Sequence, residues 1–376
     1  ASHVAFGSTR VMATCAHNGQ AVGMAASLCL RNKVFPNDLL EPGRMHTLQQ
    51  LLLRNGQHIP GVPARDQANK ALAATITASS SLALNHLPAS GETTVLDKPM
   101  ALLLPLHEGP APAIAVYATA SEATSLRAEL WIASREGNAT PDVLLESIDV
   151  PVPIGTTDVE LMFTASLPRS TYAFVTLQVN SLIALALSHE YVTGILTLSQ
   201  KMNAAVAKSL VQTPPENSGI DTFAFWLPDR RPVARNLAAT ITPPLETYKP
   251  TNVVNGCSRP WESANAWLPA REDKAPTLTL TWSEPQTIET IEITFDTDYD
   301  HPMESVLMGH PERVMPGCVT AFEIRCAKGN VLARVDDNHQ TRCVLKLLAP
   351  VETLAITVAI LGHGPALPAI FQIGCY

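Results

Sequence analysis

The sequence predicts a mainly β protein: a short N-terminal α-helical segment, then two β-sandwich (jelly-roll-like) domains, with no complete Rossmann domain. Three observations predict this. From residue 75 onward, apolar runs of strand length recur along the chain, many of them rich in Val, Ile, Leu and Thr. The 30 prolines and 19 glycines fall largely between these runs, as turns do in an antiparallel sandwich. Helical patterning, by contrast, lies mainly in the first 74 residues, and no strand–GxGxxG–helix sequence occurs anywhere.

The helical segment comes first. AHNGQAVGMAASLCL predicts a helix that begins near Asn18 or Gly19 and runs to about Leu30. Gly19 and Gly23 stand four apart, with Ala21, Ala25 and Ala26 among them, so one side of the first turns is nearly bare. Such spacing serves close packing against another helix. It also lets an electron-rich group approach a helix N-terminus, where unpaired N–H groups carry roughly half a positive charge. After a turn at Pro36 and Asn37, MHTLQQLLLRNGQHIP predicts a second helix with Leu48, Leu51 and Leu52 on one face and Asn55-Gly56 as its stop. A unit this small and alanine-rich is expected to lie against the next domain and to leave one face open.

Residues 75–215 are expected to form the first sandwich, from strands at 100–106, 113–120, 127–134, 142–152, 158–164, 172–179 and 183–189. VTGILTLSQKMNAAVAKSLV then reads either as helix or as a last strand followed by a helix. Residues 216–376 are expected to form the second sandwich, with runs at 277–282, 287–296, 319–326, 331–335, 342–348, 353–361 and 369–376. In IETIEITF the apolar alternation slips by one at Thr290, which marks a bulge, and Ala327-Lys328-Gly329-Asn330 is a hairpin turn.

Composition removes several function classes. The net charge of −8 and the lack of any Lys/Arg cluster argue against nucleic acid. No apolar run approaches the ~20 residues of a membrane span. The seven cysteines include no C-x-x-C pair, so neither a zinc knuckle nor an iron–sulfur ligand set is visible, and no metal site is expected. Cys326 and Cys343 read as buried free thiols, although neighbouring strands could bring them face to face.

The stretch SHVAFGSTRVMATCAHNGQAVGMAASLC resembles the C-terminal flavin-closing segment of FAD-dependent oxidoreductases, in which an Arg-bearing strand or loop leads into a G-Q-A-x-G-x-A-A helix. The resemblance implies that Gly19, Gln20, Ala21, Val22 and Gly23 meet the isoalloxazine N1/C2=O edge and stabilise the charge that builds there on hydride acceptance. It implies catalytic roles for Arg10, which would orient a substrate or flavin oxygen, and for His17 as an acid/base group. Each has a plainer reading: Arg10 as partner to a carboxylate in an absent domain, His17 as a capping or packing residue. With no pyrophosphate-binding turn in the sequence, the chain reads as the C-terminal part of a longer oxidoreductase. FAD would belong to the full-length parent, the missing N-terminal FAD-binding domain would be a partner, and this chain alone would be inactive and hold no FAD.

The last domain resembles the galactose-binding-like, discoidin-type sandwich, on NVVNGCSRPWESANAWLP (252–269), SEPQTIETIEITFD and the closing AIFQIGCY. In that fold the end loops often hold sugars, lipids or calcium. Asn255 stands where an Asp is usual, which weakens calcium. Arg259, Trp261 and Trp267 are the candidate carbohydrate platform; the alternative is that both tryptophans plug the end of the sandwich. DTDYDH (296–301) lacks the Gly and Glu of an EF-hand, and His301, Glu304, His310 and Glu312 read as loop-ordering residues. The parent reaction expected is hydride transfer from substrate to FAD, with the sandwiches as accessory domains; the alternative is a non-catalytic carbohydrate-binding module.

Overall fold

The computed structural model describes residues 11–137, 140–202, 209–217, 222–228, 236–297 and 318–376. Among the described residues the first elements are two helices, α1 (Met12–Asn32) and α2 (Pro42–Arg54), joined by a short 3-10 turn at Pro36–Leu40. They close on a small core of Leu28, Cys29, Leu39, Leu48 and Leu52, against which Leu51 also packs. Leu53 is buried as well. As expected, α2 stops at Asn55 and Gly56, the glycine taking a left-handed φ of 88°.

The start of α1 differs from expectation. The helix begins at Met12, with Val11 in extended conformation before it, so Gly19 and Gly23 lie in its interior. Met12 to His17 contains two alanines and neither glycine nor proline, so nothing prevents helix from propagating upstream of Asn18. The positive end of the dipole therefore lies seven residues, about 10 Å, before Gly19.

The first sandwich has two antiparallel sheets. One runs Trp226–Pro228, Leu196–Gln200, Met100–Leu106, Thr171–Leu177, Thr124–Ile132, Val143–Val152. The other runs Asn236–Leu237, Asn180–Ser188, Ala113–Ala120, Ala239–Leu245, Leu84–Leu87, and also takes Thr93–Leu96 and Gly155–Leu161. Alternate residues such as Ile114, Val116 and Ala118 enter the shared core. All seven residues of Met100–Leu106 are buried, because this central strand is covered on both faces. Met100, Leu102 and Leu104 point into the core, while Ala101 and Leu103 pack with Phe174 and Leu198 on the outer face. Asn180–Ser188 is a strand, and Leu196–Gln200 is the strand expected after it; of the helix expected to follow, residues 203–208 lie outside the described residues, and Val211–Gln212 at the end of that stretch is strand.

In the second sandwich the runs 277–282 and 287–296 form one strand, Thr277–Phe295, paired with a second long strand, Arg342–His363. Register breaks between Thr281 and Gln286, and again between Ile288 and Thr290, absorb Pro285 and Pro350, which cannot donate to a ladder. The second break is the bulge read from the slipped alternation. Leu278 and Leu280 before the breaks and Ile291 and Ile293 after them share one core, so both halves of the strand wall the same interior. Val319–Cys326, Val331–Val335 and Ile370–Cys375 complete the sheet. Cys326 and Cys343 are free and partly exposed, not buried.

Sheet membership does not follow the 74/75 and 215/216 divisions expected from sequence. Thr75–Ala78 pairs with Thr277–Phe295 in the second sandwich, and residues 236–245 complete a sheet of the first. Each segment sits beside a proline- or serine-rich stretch that resembles a linker in one dimension. The two sandwiches also share core residues, among them Ala264, Leu268 and Phe371. A bidentate Arg271–Glu190 pair at 2.8 and 2.9 Å locks them together.

Candidate functional site

Helix α1 presents two different flanks. Ala21, Met24 and Ala25 pack inward. Gln20 is tied to the end of α2: its Nε2 donates to the Asn55 carbonyl at 3.2 Å, and its Oε1 accepts from Gln57 Nε2 at 3.0 Å. Gln57 Nε2 also donates to the His17 carbonyl at 2.9 Å. Gln20, which the resemblance implies meets the flavin, joins the two helices in this structure. His17 itself is exposed, as are Ala16, Gly19, Val22, Gly23 and Ala26. A Cβ on Gly19 or Gly23 would meet nothing within 4 Å. This outward flank is poor in side chain and open, so the residues present fit one wall of an FAD site, by their flank and not by the helix N-terminus. Arg10 lies outside the described residues. Apolar side chains stand exposed on the same unit: Met12, Val22, Leu30, Phe35 and Leu40.

The loop at residues 255–267 is built around Asn265, a left-handed residue at φ 54°. Its Nδ2 donates to the carbonyls of Arg259, Trp261 and Ser263 at 3.1, 2.7 and 3.2 Å, and its Oδ1 accepts from Asn255 Nδ2 at 2.8 Å. A converging set of carbonyls that suits a cation is satisfied here by a side-chain amide.

The loop separates its two tryptophans. Trp267 is wholly buried in the second sandwich, and its indole N–H donates to the Ser80 carbonyl at 2.9 Å. It cannot stack on a sugar, so its expected ligand-binding role is corrected to packing; the apolar neighbours that enclose it come from strands distant in sequence. Trp261 lies against the first sandwich, where a Cβ on Gly137 would come within 2.2 Å of the indole. The His58 ring covers it from the helical unit at 5.1 Å between centroids. The structure places Arg259 beside this pair; burial first, and the Arg259 charge second, hold the His58 imidazole below its ordinary range. These side chains fasten three parts of the molecule at one point, with Arg259 and Trp261 half-buried there. Among the described residues no group of His, Cys, Asp and Glu has metal-ligating geometry. His301, Glu304, His310 and Glu312 lie outside the described residues. No described helix is long and apolar enough to cross a membrane.

Sequence reading missed a polar junction between α2 and the second sandwich. Glu292 accepts from Arg54 Nε and Nη2 at 3.1 and 2.8 Å and from Arg342 Nη2 at 2.8 Å. The Arg54 guanidinium lies 3.4 Å over the Tyr376 ring, and burial pushes that phenol up to about 12. Arg54 and Glu292 are 238 residues apart, a separation no local pattern reveals.

Comparison with known proteins locates the two resemblances. Residues 1–52 match the family model described as FAD dependent oxidoreductase. Solved structures that match part of the chain include the family 32 carbohydrate-binding module from Streptococcus pneumoniae EndoD, at 13% identity, covering 35% of this chain and 87% of that one, with a TM-score of 0.27. Another is chitosan-binding module 2, in complex with chitotriose, from a chitosanase/glucanase of Paenibacillus sp. IK-5, at 10% identity, covering 35% and 88%, also with a TM-score of 0.27. A third, the putative alpha-L-fucosidase from Bacteroides thetaiotaomicron, is 17% identical, covers 35% of this chain and 25% of that one, and has a TM-score of 0.25. No curated protein matches the chain. The N-terminal segment is thus similar to the FAD dependent oxidoreductase family model over residues 1–52, and carbohydrate-binding modules are among the solved structures that match part of the chain.

Proposed function

We propose that this chain is the C-terminal part of an FAD-dependent oxidoreductase, with α1 closing one side of the flavin pocket. The observation that carries the reading is a coincidence of place. The family match covers residues 1–52, and within those residues lies the open flank of Ala16, Gly19, Gly23 and Ala26. When bound, the flavin accepts a hydride from the substrate. The chain's own contribution is steric and positional. Gly19 and Gly23 keep the helix surface low, Gln20 and Gln57 fix the helix against α2, and Arg54 fixes α2 to the second sandwich. Arg10 and His17 belong to the same segment and would act on the substrate side of the flavin. The remaining walls, including the pyrophosphate site, come from polypeptide outside these 376 residues, which also covers Met12, Val22 and Leu30. The sandwiches serve as accessory domains that recruit substrate, and carbohydrate is the ligand class they would present.

Hydroxyl-radical footprinting tests the docking directly. Met12 is 87% exposed in this chain. In the full-length parent its oxidation, and that of Val22 and Leu30, is expected to fall several-fold, while Leu348 on the far sandwich labels equally in both. Equal labelling of Met12 in the two proteins would overturn the proposal.

A further inference from the structure

A cavity of about 180 Å³ opens where the end of α2 meets the outer face of the second sandwich. Strand register sets its floor. Thr294 stands opposite Gln372 on one neighbouring strand and opposite Arg342 on the other, so three polar side chains form one row across three strands. Two residues along, on the same face, Glu292 stands opposite Gly374. The absence of a side chain at Gly374 is required, because a Cβ there would come 2.8 Å from the Tyr376 ring. Arg54 over that ring and Ser258 from the 255–267 loop supply walls.

The donors in this cavity are not used up by the protein. Both Glu292 oxygens are engaged, one by Arg54 and one by Arg342. Arg342 gives only its Nη2 to that bond, and the side chains of Thr294, Gln372 and Ser258 have no hydrogen-bond partner among the described residues. A guanidinium with donors to spare, beside two hydroxyls and an amide, matches a ligand that carries one carboxylate and several hydroxyls. The volume falls below the ~300–1,000 Å³ of drug-sized sites, which limits the ligand to about one sugar unit.

We propose that this cavity binds a small hydroxylated carboxylate, a sugar acid of the uronate or aldonate class. The carboxylate takes the remaining Arg342 donors, and its hydroxyls bond to Thr294, Gln372 and Ser258. Glu292 is held by Arg54 and Arg342, and Arg54 also pairs with Asp66 at 3.4 Å, so the ligand carboxylate is oriented by the remaining Arg342 N–H groups and not by a net positive charge. The site is independent of the flavin reading and needs nothing from outside this chain.

Isothermal titration of the 376-residue chain with D-glucuronate, D-gluconate, D-glucose and acetate tests this. At least one of the two acids is expected to bind saturably and at least tenfold more tightly than either glucose or acetate. Arg342→Gln should weaken that binding tenfold or more, and Gln372→Ala should weaken it several-fold. Gln372 lies outside the ion-pair network, so its variant, with an unchanged melting temperature, keeps the test valid if Arg342→Gln loosens the fold. No saturable binding of either acid, glucose or acetate binding as tightly, or full affinity in the Gln372→Ala variant would each overturn the proposal.

Discussion

Trp261 and Trp267 sit six positions apart in one loop and look alike in sequence, yet they do different work. Trp267 fills the second core and satisfies its N–H on Ser80, so Trp267→Ala should cost about 3–5 kcal/mol in urea unfolding. Their difference was not legible in the sequence, because burial is decided by residues that only the fold brings near. The Arg54–Glu292–Arg342 junction was hidden for the same reason. His58 adds a pH signature. Folding holds its imidazole below the ordinary value of 6.5, so between the folded pKa and 6.5 the unfolded chain binds more protons. Stability from this source is complete above about pH 6.5 and is lost as pH falls below it. Thermal melts from pH 7.5 to 5 should show this decline, and His58→Gln should remove part of it; an unchanged slope in the variant would count against the assignment.

At the scale of elements, patterning was a sound guide wherever period and punctuation agreed. The strand Ala113–Ala120 coincides with the run read from sequence, and the alternation slip at Thr290 is a real register break. Reading failed where a local signal had no bearing on the outcome. Asn18-Gly19 resembles a helix start, but a helix already propagating from Met12 runs through it. The interior position of Gly19 and Gly23 gives a test. Each costs the isolated helix about 0.8–1 kcal/mol relative to alanine, and nothing lies where a Cβ would go. Gly19→Ala and Gly23→Ala should therefore leave this chain folded and slow amide exchange within α1. Faster exchange would mean that the flank is not open.

At the scale of the molecule, the three segments are interlocked. Thr75–Ala78 crosses into the second sandwich, residues 236–245 cross into the first, and Arg54 and Trp261 fasten the helices to both. The fold class was legible, because strands, prolines and the 1–74 helical pattern each leave a one-dimensional trace. The crossings were not, since a strand's partner is set by closure of a distant sheet edge. A polypeptide of residues 216–376 lacks its Thr75–Ala78 edge strand and exposes Phe371 and Leu268, so it is expected to aggregate or to show a much broadened melt. A sharp melt matching the whole chain's would refute the interlock.

In the proposed parent, α1 offers its bare flank to a flavin. The absorbance spectrum of the gently purified full-length parent tests it most directly, alongside variants carrying Gly19→Leu and Gly23→Leu. Oxidised-flavin bands near one FAD per chain are expected in the parent, with loss of most of that flavin in the double variant while the sandwiches stay folded. A colourless parent that FAD cannot restore, or a double variant with its flavin and turnover intact, would contradict it.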